Sequence, residues 1–592
     1  MNQLKATLSQ LIAQAANQVG LEETADSIYP AISYPPNPEM GDFAFPCFPF
    51  ARVLRKAPQM IAESIGEALK ALNDDSIADI QTAGGFLNIK LAPADVGQAV
   101  AGKVLAGSFF DLSRDKAPRN IMIEYSQPNT HKILHVGHMR NICLGDSLIK
   151  LAGYAGEHVV SATFPGDMGT HVAKCLWYYL HKNQEAVPED SKGAFIGQMY
   201  AKGNLLLEDE KADPEKDALN QQQLSAILSD IESEQGETFE LWKETRQWSI
   251  DAMQQMYDWA QVNFDQWYWE SEVDVPSMEL IRKLHAEGVS YTNAEGEVKP
   301  VFKESQGAII ADLEDVDLGI CVLIKSDGHG LYATKDIELA RRKFEDHKIE
   351  QSVYVVDQRQ AHHFKQVFEI LKRIGYQNAE NCYHLQYNYV ELPDGAMSSR
   401  KGTIVPLMDL VENMKGKIQS EYASRDHGFS KEELVKVSDQ IARGAIKYGM
   451  LKIDPAKKIV FDMDEWLRVD GNSGVYIQYT FARIQSMLAK FEIASNAADW
   501  ALLDTDAEKS LMVQMADFND TILSAARDYK PNLVCNYLYE LCKRYNSFYN
   551  SVPIGKEEDT AKQQGRLMLS QAVGVVLRKG MSLMGIESPE KM

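Results

Sequence analysis

Apolar residues recur along this chain with two periods, and the period changes with position. Leu4, Leu8, Leu11 and Ile12 share one face of a helix. The run YPPNPEMGDFAF and the turn segment TAGGFLNIKL then interrupt the helical text, so residues 1–113 read as a small α/β module that ends in the linker DLSRDKAPRN. Beyond it, NIMIEYS is a short apolar β run, HVGHMRNICLGDSLIKLAGYAG has helical spacing and EHVVSATFPGD is a second strand, which together make a β-α-β unit. The alternation returns in GICVLIKSDG, in QSVYVVD followed by QAHHFKQVFEILKRIG, and in CYHLQYNYVEL, and predicts one parallel, helix-covered sheet over about 114–460. From about Asp470 strand patterns stop. Leu569, Ala572, Val573, Val576, Leu577 and Met581 fall at helical offsets, so 461–592 is expected to be all-α.

Composition narrows the class. The 592 residues allow about three to five domains of roughly 150 residues. With 45% apolar and 24% charged residues and no run of about 18 apolar residues, a membrane protein is not expected. The opening lacks a basic segment followed by an apolar block, so no export signal is expected. Seven scattered cysteines without a C-x-x-C pair fit reduced thiols in a cytoplasmic protein. The net charge of −23 speaks against a general nucleic-acid coat. It is unevenly spread, however: about 183–240 holds 14 acidic residues against 4 lysines and reads as an acidic helical insertion, whereas 471–592 holds 14 acidic and 13 basic residues. A surface that meets a polyanion fits the second region better.

Neither G-x-x-x-x-G-K-[ST] nor G-x-G-x-x-G occurs. Instead His135-Val136-Gly137-His138 stands between a predicted strand and helix, with two imidazoles around a residue that lets a flat ligand approach the backbone. Such a turn suits ATP, with the imidazoles toward the phosphates. Histidines at i and i+3 also arise as metal ligands or as capping and core residues. Asn129 and Lys132 lie just upstream. Far downstream, after Pro393-Asp394-Gly395, the segment Met397-Ser398-Ser399-Arg400-Lys401 offers hydroxyls and cations that could close over a triphosphate.

H-V-G-H and M-S-S-R-K-G, in this order, resemble the two signatures of class I aminoacyl-tRNA synthetases. The surrounding text, including EYSQPNTHKILHVGHMRNICLGD, KSDGHGLYATKDIELA, VVDQRQAHHFKQV and GNSGVYIQYTFARIQSM, is similar to the arginyl-tRNA synthetase family through nearly the whole chain. The resemblance implies a multidomain α/β protein: a small α/β N-terminal domain (1–113) that contacts tRNA, a Rossmann-like parallel-sheet catalytic domain with insertions (114–460), and an all-α anticodon-binding bundle (461–592). It implies ligation of L-arginine to tRNA(Arg) by formation of an arginyl adenylate and transfer to the 2′-hydroxyl of the terminal adenosine. ATP with Mg2+ is then a substrate, with no permanently bound cofactor or structural metal, and the enzyme is expected to be a cytoplasmic monomer that binds no membrane.

Carried over by position, His135 and His138 stabilise the α-phosphate and Gly137 makes room for adenine. Gln127, Asn129, His138, Tyr332, Asp336 and Gln360 surround arginine. A guanidinium presents a rigid fork of donors that a carboxylate accepts in pairs, which agrees with Asp336. Glu124 and Glu270 are second-carboxylate candidates or solvated strand ends. Asp336 and Glu338 also fit simple complementation of a helix start, and His362 and His363 a pair with one exposed and one core-facing member. The second signature commonly reads K-M-S-K-S. Here both lysines are missing, so Lys132 is expected to take over the phosphate contact, with Arg400 and Lys401 helping close the loop. Tyr476, Gln478, Tyr479 and Arg483 are candidate tRNA contacts, although Tyr476, Tyr479 and Phe481 also suit helix packing. Competing readings are another nucleotidyltransferase of the H-x-G-H superfamily and a non-catalytic tRNA-binding paralogue.

Overall fold

The computed structural model describes all residues except 1, 36–39, 113–116, 393–405, 424–427 and 494–497. Its centre is a five-stranded parallel sheet made of β1 (Asn120–Glu124), β2 (His158–Thr163), β3 (Gln266–Trp267), β4 (Gln351–Asp357) and β5 (Cys382–Tyr387). Ile121, Met122 and Ile123 of β1 are buried on both faces, which is why the strand reads as an unbroken apolar run. The order across the sheet is β3-β2-β1-β4-β5. The chain therefore builds outward from β1 on one side, then returns to build on the other. The order switches direction between β1 and β4, and the carboxyl ends of the strands at such a switch point are the usual place for a ligand in a doubly wound sheet. Helix α1 (Val136–Ala155) follows β1, and a Cβ at Gly145 would sit 2.0 Å from the Tyr125 ring, so only glycine lets α1 lie this close.

GICVLI does not join the parallel sheet. Gly319–Ile324 pairs antiparallel with Ala308–Leu313, which pairs antiparallel with Phe302–Ser305 in a separate three-stranded meander. Only five residues separate the last two strands, with Asp317 and Gly319 at φ of 58° and 65°. A parallel partner needs a crossover of about a dozen residues or more, so this connection can make only a hairpin. CYHLQYNYVEL also divides: after β5, Val390–Glu391 pairs with Ile459–Val460.

The acidic stretch falls on helices Lys192–Glu210 and Pro214–Glu232 and on the start of α2 (Gly236–Ala260), which share a small core with Val172, Leu176 and Trp177. Helix α3 (Glu270–Ala286) follows β3, and α4 (Tyr332–His347) follows the meander. At the N-terminus, helix Pro58–Ala71 packs on an antiparallel sheet with Phe86–Leu91 between Phe43–Pro46 and Ile77–Ala83. The C-terminal region is a bundle containing α5 (Gly474–Leu488), Asn532–Ser551 and Thr560–Leu583, and all six residues of the apolar face noted on the last helix are buried. Among the described residues no helix is long and apolar enough to cross a membrane.

Candidate active site

The loop leaving β1 carries two residues in the left-handed region, Ser126 (φ 54°) and His131 (φ 60°). Each is held by partners distant in sequence. The Ser126 amide donates to Asn141 Oδ1 at 2.7 Å, while the His131 amide donates to Ser249 Oγ at 2.9 Å. The His131 ring is fully buried between the hydroxyls of Thr130 and Thr245, each 2.9 Å away, and burial pushes its pKa down to about 3. It braces the loop as a neutral group.

His135 is the N-cap of α1. Its Nδ1 accepts the Gly137 amide at 3.1 Å, and His138 Nδ1 accepts the His135 amide at 3.1 Å, so the pair forms a reciprocal capping box. The rings lie 4.1 Å apart, and a Cβ on Gly137 would come within 2.9 Å of the His135 ring. Capping and ligand binding are thus compatible. Because each Nδ1 accepts a backbone amide, the proton of each neutral ring is on Nε2. Burial, then the nearby Arg359 guanidinium, pushes His135 down to about 4, and burial with His135 beside it holds His138 well below its usual value. Near neutral pH the turn therefore presents two uncharged N–H donors.

Cations approach from two sides. Lys132 lies 5.1 Å from the Tyr200 ring and contributes to depressing both His138 and His171, so its charge is felt in this cleft. Arg359, just beyond β4, is held by Asp357 at 2.8 and 2.9 Å and bears on His135 across the switch point. Sequence reading passed over Arg359; its place directly after the strand text QSVYVVD was the available signal.

A more anionic pocket adjoins the turn. Asn129 and Gly166 form a parallel bridge, and a Cβ at Gly166 would meet Asn129 Oδ1 at 2.3 Å and Glu270 Oε2 at 3.0 Å. Asn129 and Glu270 therefore flank one backbone point. Glu270 pairs with Lys335 at 2.6 Å, and Lys335 also reaches Asp274 at 3.0 Å. Tyr332 opens α4 and is 68% exposed. One turn on, Asp336 Oδ2 lies 2.5 Å from His363 Nε2; burial opposes the charge on His363, yet the Asp336 contact holds its pKa above the usual value. His362 is exposed, as is Gln360 at the end of the turn Gln358–Gln360.

Glu124 behaves differently. It is buried against the fully buried Lys343, which also sits 3.8 Å from the Tyr354 ring. The carboxylate is thus closed into the sheet with its charge matched by Lys343. Glu270 is likewise buried and matched by Lys335; what sets it apart is its place beside Asn129 and Gly166. Gln127 donates to Glu124 at 3.0 Å and accepts from Asn141 at 3.2 Å, which puts its amide in this bracing network.

Met397, Ser398, Ser399, Arg400 and Lys401 lie outside the described residues. Pro406, shortly beyond them, bridges antiparallel to His135, and the Leu407 amide donates to Leu134 at 3.0 Å, so the chain leaving the second motif runs beside the first.

On α5, Arg483 stands 4.9 Å from the Tyr479 ring and 5.6 Å from Tyr549, and donates to Asn546 at 2.7 Å. Tyr479 and Tyr549 are each 37% exposed. Tyr476 is half-buried and accepts from Asn546 at 2.9 Å, while Phe481 is core. Gln478 corrects the sequence reading. It is fully buried and donates to the carbonyls of Gln440 and Glu587, both at 3.0 Å, so it fastens helices together and has no surface to offer a tRNA.

Three family models match the chain: the class I (R) tRNA synthetase catalytic domain over 104–463, the DALR anticodon-binding domain over 477–592 and the arginyl-tRNA synthetase N-terminal domain over 3–91. A Bdellovibrio bacteriovorus protein named arginine–tRNA ligase is 50% identical over 96% of this chain and 95% of its own length. A Treponema denticola protein of the same name is 33% identical over the full length of both. The Thermus thermophilus arginyl-tRNA synthetase structure superposes with a TM-score of 0.76 at 26% identity, covering 99% of each chain. With signature histidines, doubly wound sheet, flanking regions and relatives in agreement, the chain belongs to the arginyl-tRNA synthetase family of class I synthetases.

Proposed function

We propose that the protein charges tRNA with arginine, and that the observation carrying this reading is an anionic pocket set beside two neutral imidazole donors at the switch point of the sheet. ATP, arriving with Mg2+, lies across the N-terminus of α1. The arginine carboxylate attacks the α-phosphorus, pyrophosphate leaves, and the Nε2–H groups of His135 and His138 donate to the oxygens where charge accumulates. Lys132 supplies the cation that the second signature lacks. Arginine carries a positive charge at each end, on its α-ammonium and its guanidinium, beside the reacting carboxylate; Asp336 and Glu270 take up its positive charge, while Asn129 orients it from its place beside Gly166. In the second step the 2′-hydroxyl of the terminal adenosine attacks the adenylate carbonyl and AMP leaves.

The flanking regions would hold the tRNA, residues 1–113 along its body and 461–592 at the anticodon, where Tyr479, Tyr549 and Arg483 form an exposed face suited to unpaired bases. The test is ATP–pyrophosphate exchange with and without arginine and with and without tRNA. Arginine-dependent exchange, stimulated by tRNA, is expected. Exchange indifferent to arginine would overturn the reading in favour of another nucleotidyltransferase, and no exchange at all would favour a non-catalytic tRNA-binding protein.

A further inference from the structure

We propose that Asp167 is the positioning residue of the arginine pocket, and that α2, the helix into which the acidic insertion leads, serves the reaction by anchoring it through Arg246. The proposal rests on the function just given. It starts from a helix without a cap of its own: α3 begins at Glu270, and its N-cap, Trp269, makes no side-chain hydrogen bond to the exposed amides. The missing cap comes from elsewhere in the chain. Asp167, fully buried, accepts the Ser271 amide at 2.9 Å on Oδ1 and the Ser271 hydroxyl at 2.8 Å on Oδ2. A carboxylate at this place also meets the positive end of α3.

The dipeptide Gly166-Asp167 therefore touches both walls of the pocket. Gly166 takes the Thr130 amide on its carbonyl at 2.8 Å and lies in contact range of Asn129 Oδ1 and Glu270 Oε2. Ser271, the partner of Asp167, follows Glu270 directly. The spacing between Asn129 and Glu270 is thus set through Gly166, Asp167 and Ser271.

A buried carboxylate needs a counter-charge, and α2 provides it. Arg246 on α2 donates through Nε to Asp167 Oδ2 at 2.8 Å, and Trp242, one turn earlier, donates through Nε1 to the Asp167 carbonyl at 2.8 Å. The guanidinium is itself stacked 4.1 Å from the Trp269 ring, the residue before Glu270. The same face of α2 carries Thr245 and Ser249, which hold His131 in the loop bearing Asn129. The helix that ends the acidic segment is therefore the rear wall of the amino-acid pocket. Its charged outer side and its site-facing side do different work.

The test is steady-state exchange by the full-length enzyme with saturating tRNA, comparing wild type, Asp167→Asn and Arg246→Lys. Asparagine keeps an acceptor but loses the charge and brings an NH2 against the donors; lysine keeps the charge but loses the stacked, directional Nε. In Asp167→Asn the KM for arginine is expected to rise at least fivefold while the KM for ATP stays within twofold, a split that general destabilisation would not produce. A smaller rise, or a parallel rise in both constants, overturns the proposal. If Asp167→Asn does not fold, Arg246→Lys decides by the same criterion, with at least a threefold rise confined to arginine expected and anything less overturning it. Absence of arginine-dependent exchange in the wild type would instead remove the functional reading, and is seen before any variant is made.

Discussion

The switch-point cleft and the aromatic face of α5 are both polar surfaces carried on helices, and they are built in opposite ways. In the cleft, apart from the local capping box of His135 and His138 and the Arg359–Asp357 pair, the site groups lean on partners far along the chain: His131 on Thr245, Asp167 on Arg246 and Ser271, Glu270 on Lys335, Asp336 on His363. On α5 the key pair is local, because Tyr479 and Arg483 are four residues apart and helical geometry alone brings them together. Burial sets the ionisation state of His135 and His138 in the cleft, while Tyr479 and Tyr549 of the face on α5 are exposed. Charges matter most where water is absent. The contrast teaches that substitutions in the cleft act through chemistry and pairing, and substitutions on α5 through contact with a partner.

The largest effect expected is at Glu270. Glu270→Gln leaves Lys335 with a single carboxylate partner and removes an anion from the pocket, so kcat/KM for arginine in exchange should fall about 100-fold or more. A loss below tenfold would break the distinction between this carboxylate and Glu124, whose replacement by Gln should lower the melting temperature by stranding buried Lys343 and leave a folded enzyme's arginine KM within about twofold. Next comes Lys132→Ala, expected to slow adenylate formation at least tenfold, about 1.4 kcal/mol of transition-state stabilisation; a smaller loss assigns the phosphate contact elsewhere.

On the other side of the comparison, Tyr479→Ala or Arg483→Ala should raise the KM for tRNA about tenfold, within the range of one lost base stack, with arginine KM unchanged. Gln478→Ala, one position away, should instead lower the melting temperature, since its side chain serves only buried carbonyls. If the two classes of variant behaved alike in aminoacylation assays, α5 would not present a working face.

The smallest effect tests burial far from both regions. Asp517, at a junction of C-terminal helices, accepts from Tyr34 of the N-terminal region, and burial pushes its pKa up to about 6. A carboxyl raised above its unfolded value favours the folded state fully below that value, and the contribution is lost as pH rises through about 6. Asp517→Asn should therefore flatten the rise in melting temperature between pH 7.5 and pH 5, and raise the midpoint at pH 7.5 by about 2–4 °C. Unchanged pH dependence would show that this junction does not set stability.

Legibility followed the same division. The unbroken apolar run of β1, the capping turn at His135 and the buried stripe of Leu569, Val573 and Leu577 express local periodicity, and each was readable. GICVLI was assigned to the wrong sheet because an apolar strand does not state its partner; the short connection after Leu313 did. Gln478 looked like a surface amide because nothing near it in sequence reveals Gln440 and Glu587. Glu124 and Glu270 were indistinguishable for the same reason.

What the sequence by itself determined is what a few consecutive residues can enforce: strand and helix periods, a turn in which two histidines cap one helix, and the order of motifs that identifies the family. Tertiary structure alone decided that Glu124 and Glu270 are both buried against lysines while Glu270 also lies beside Asn129 and Gly166, that burial keeps the signature histidines neutral, and that the helix following the acidic segment reaches back to hold Asp167. Charge state and pairing depend on burial and on distant neighbours, and those exist only once the chain has folded.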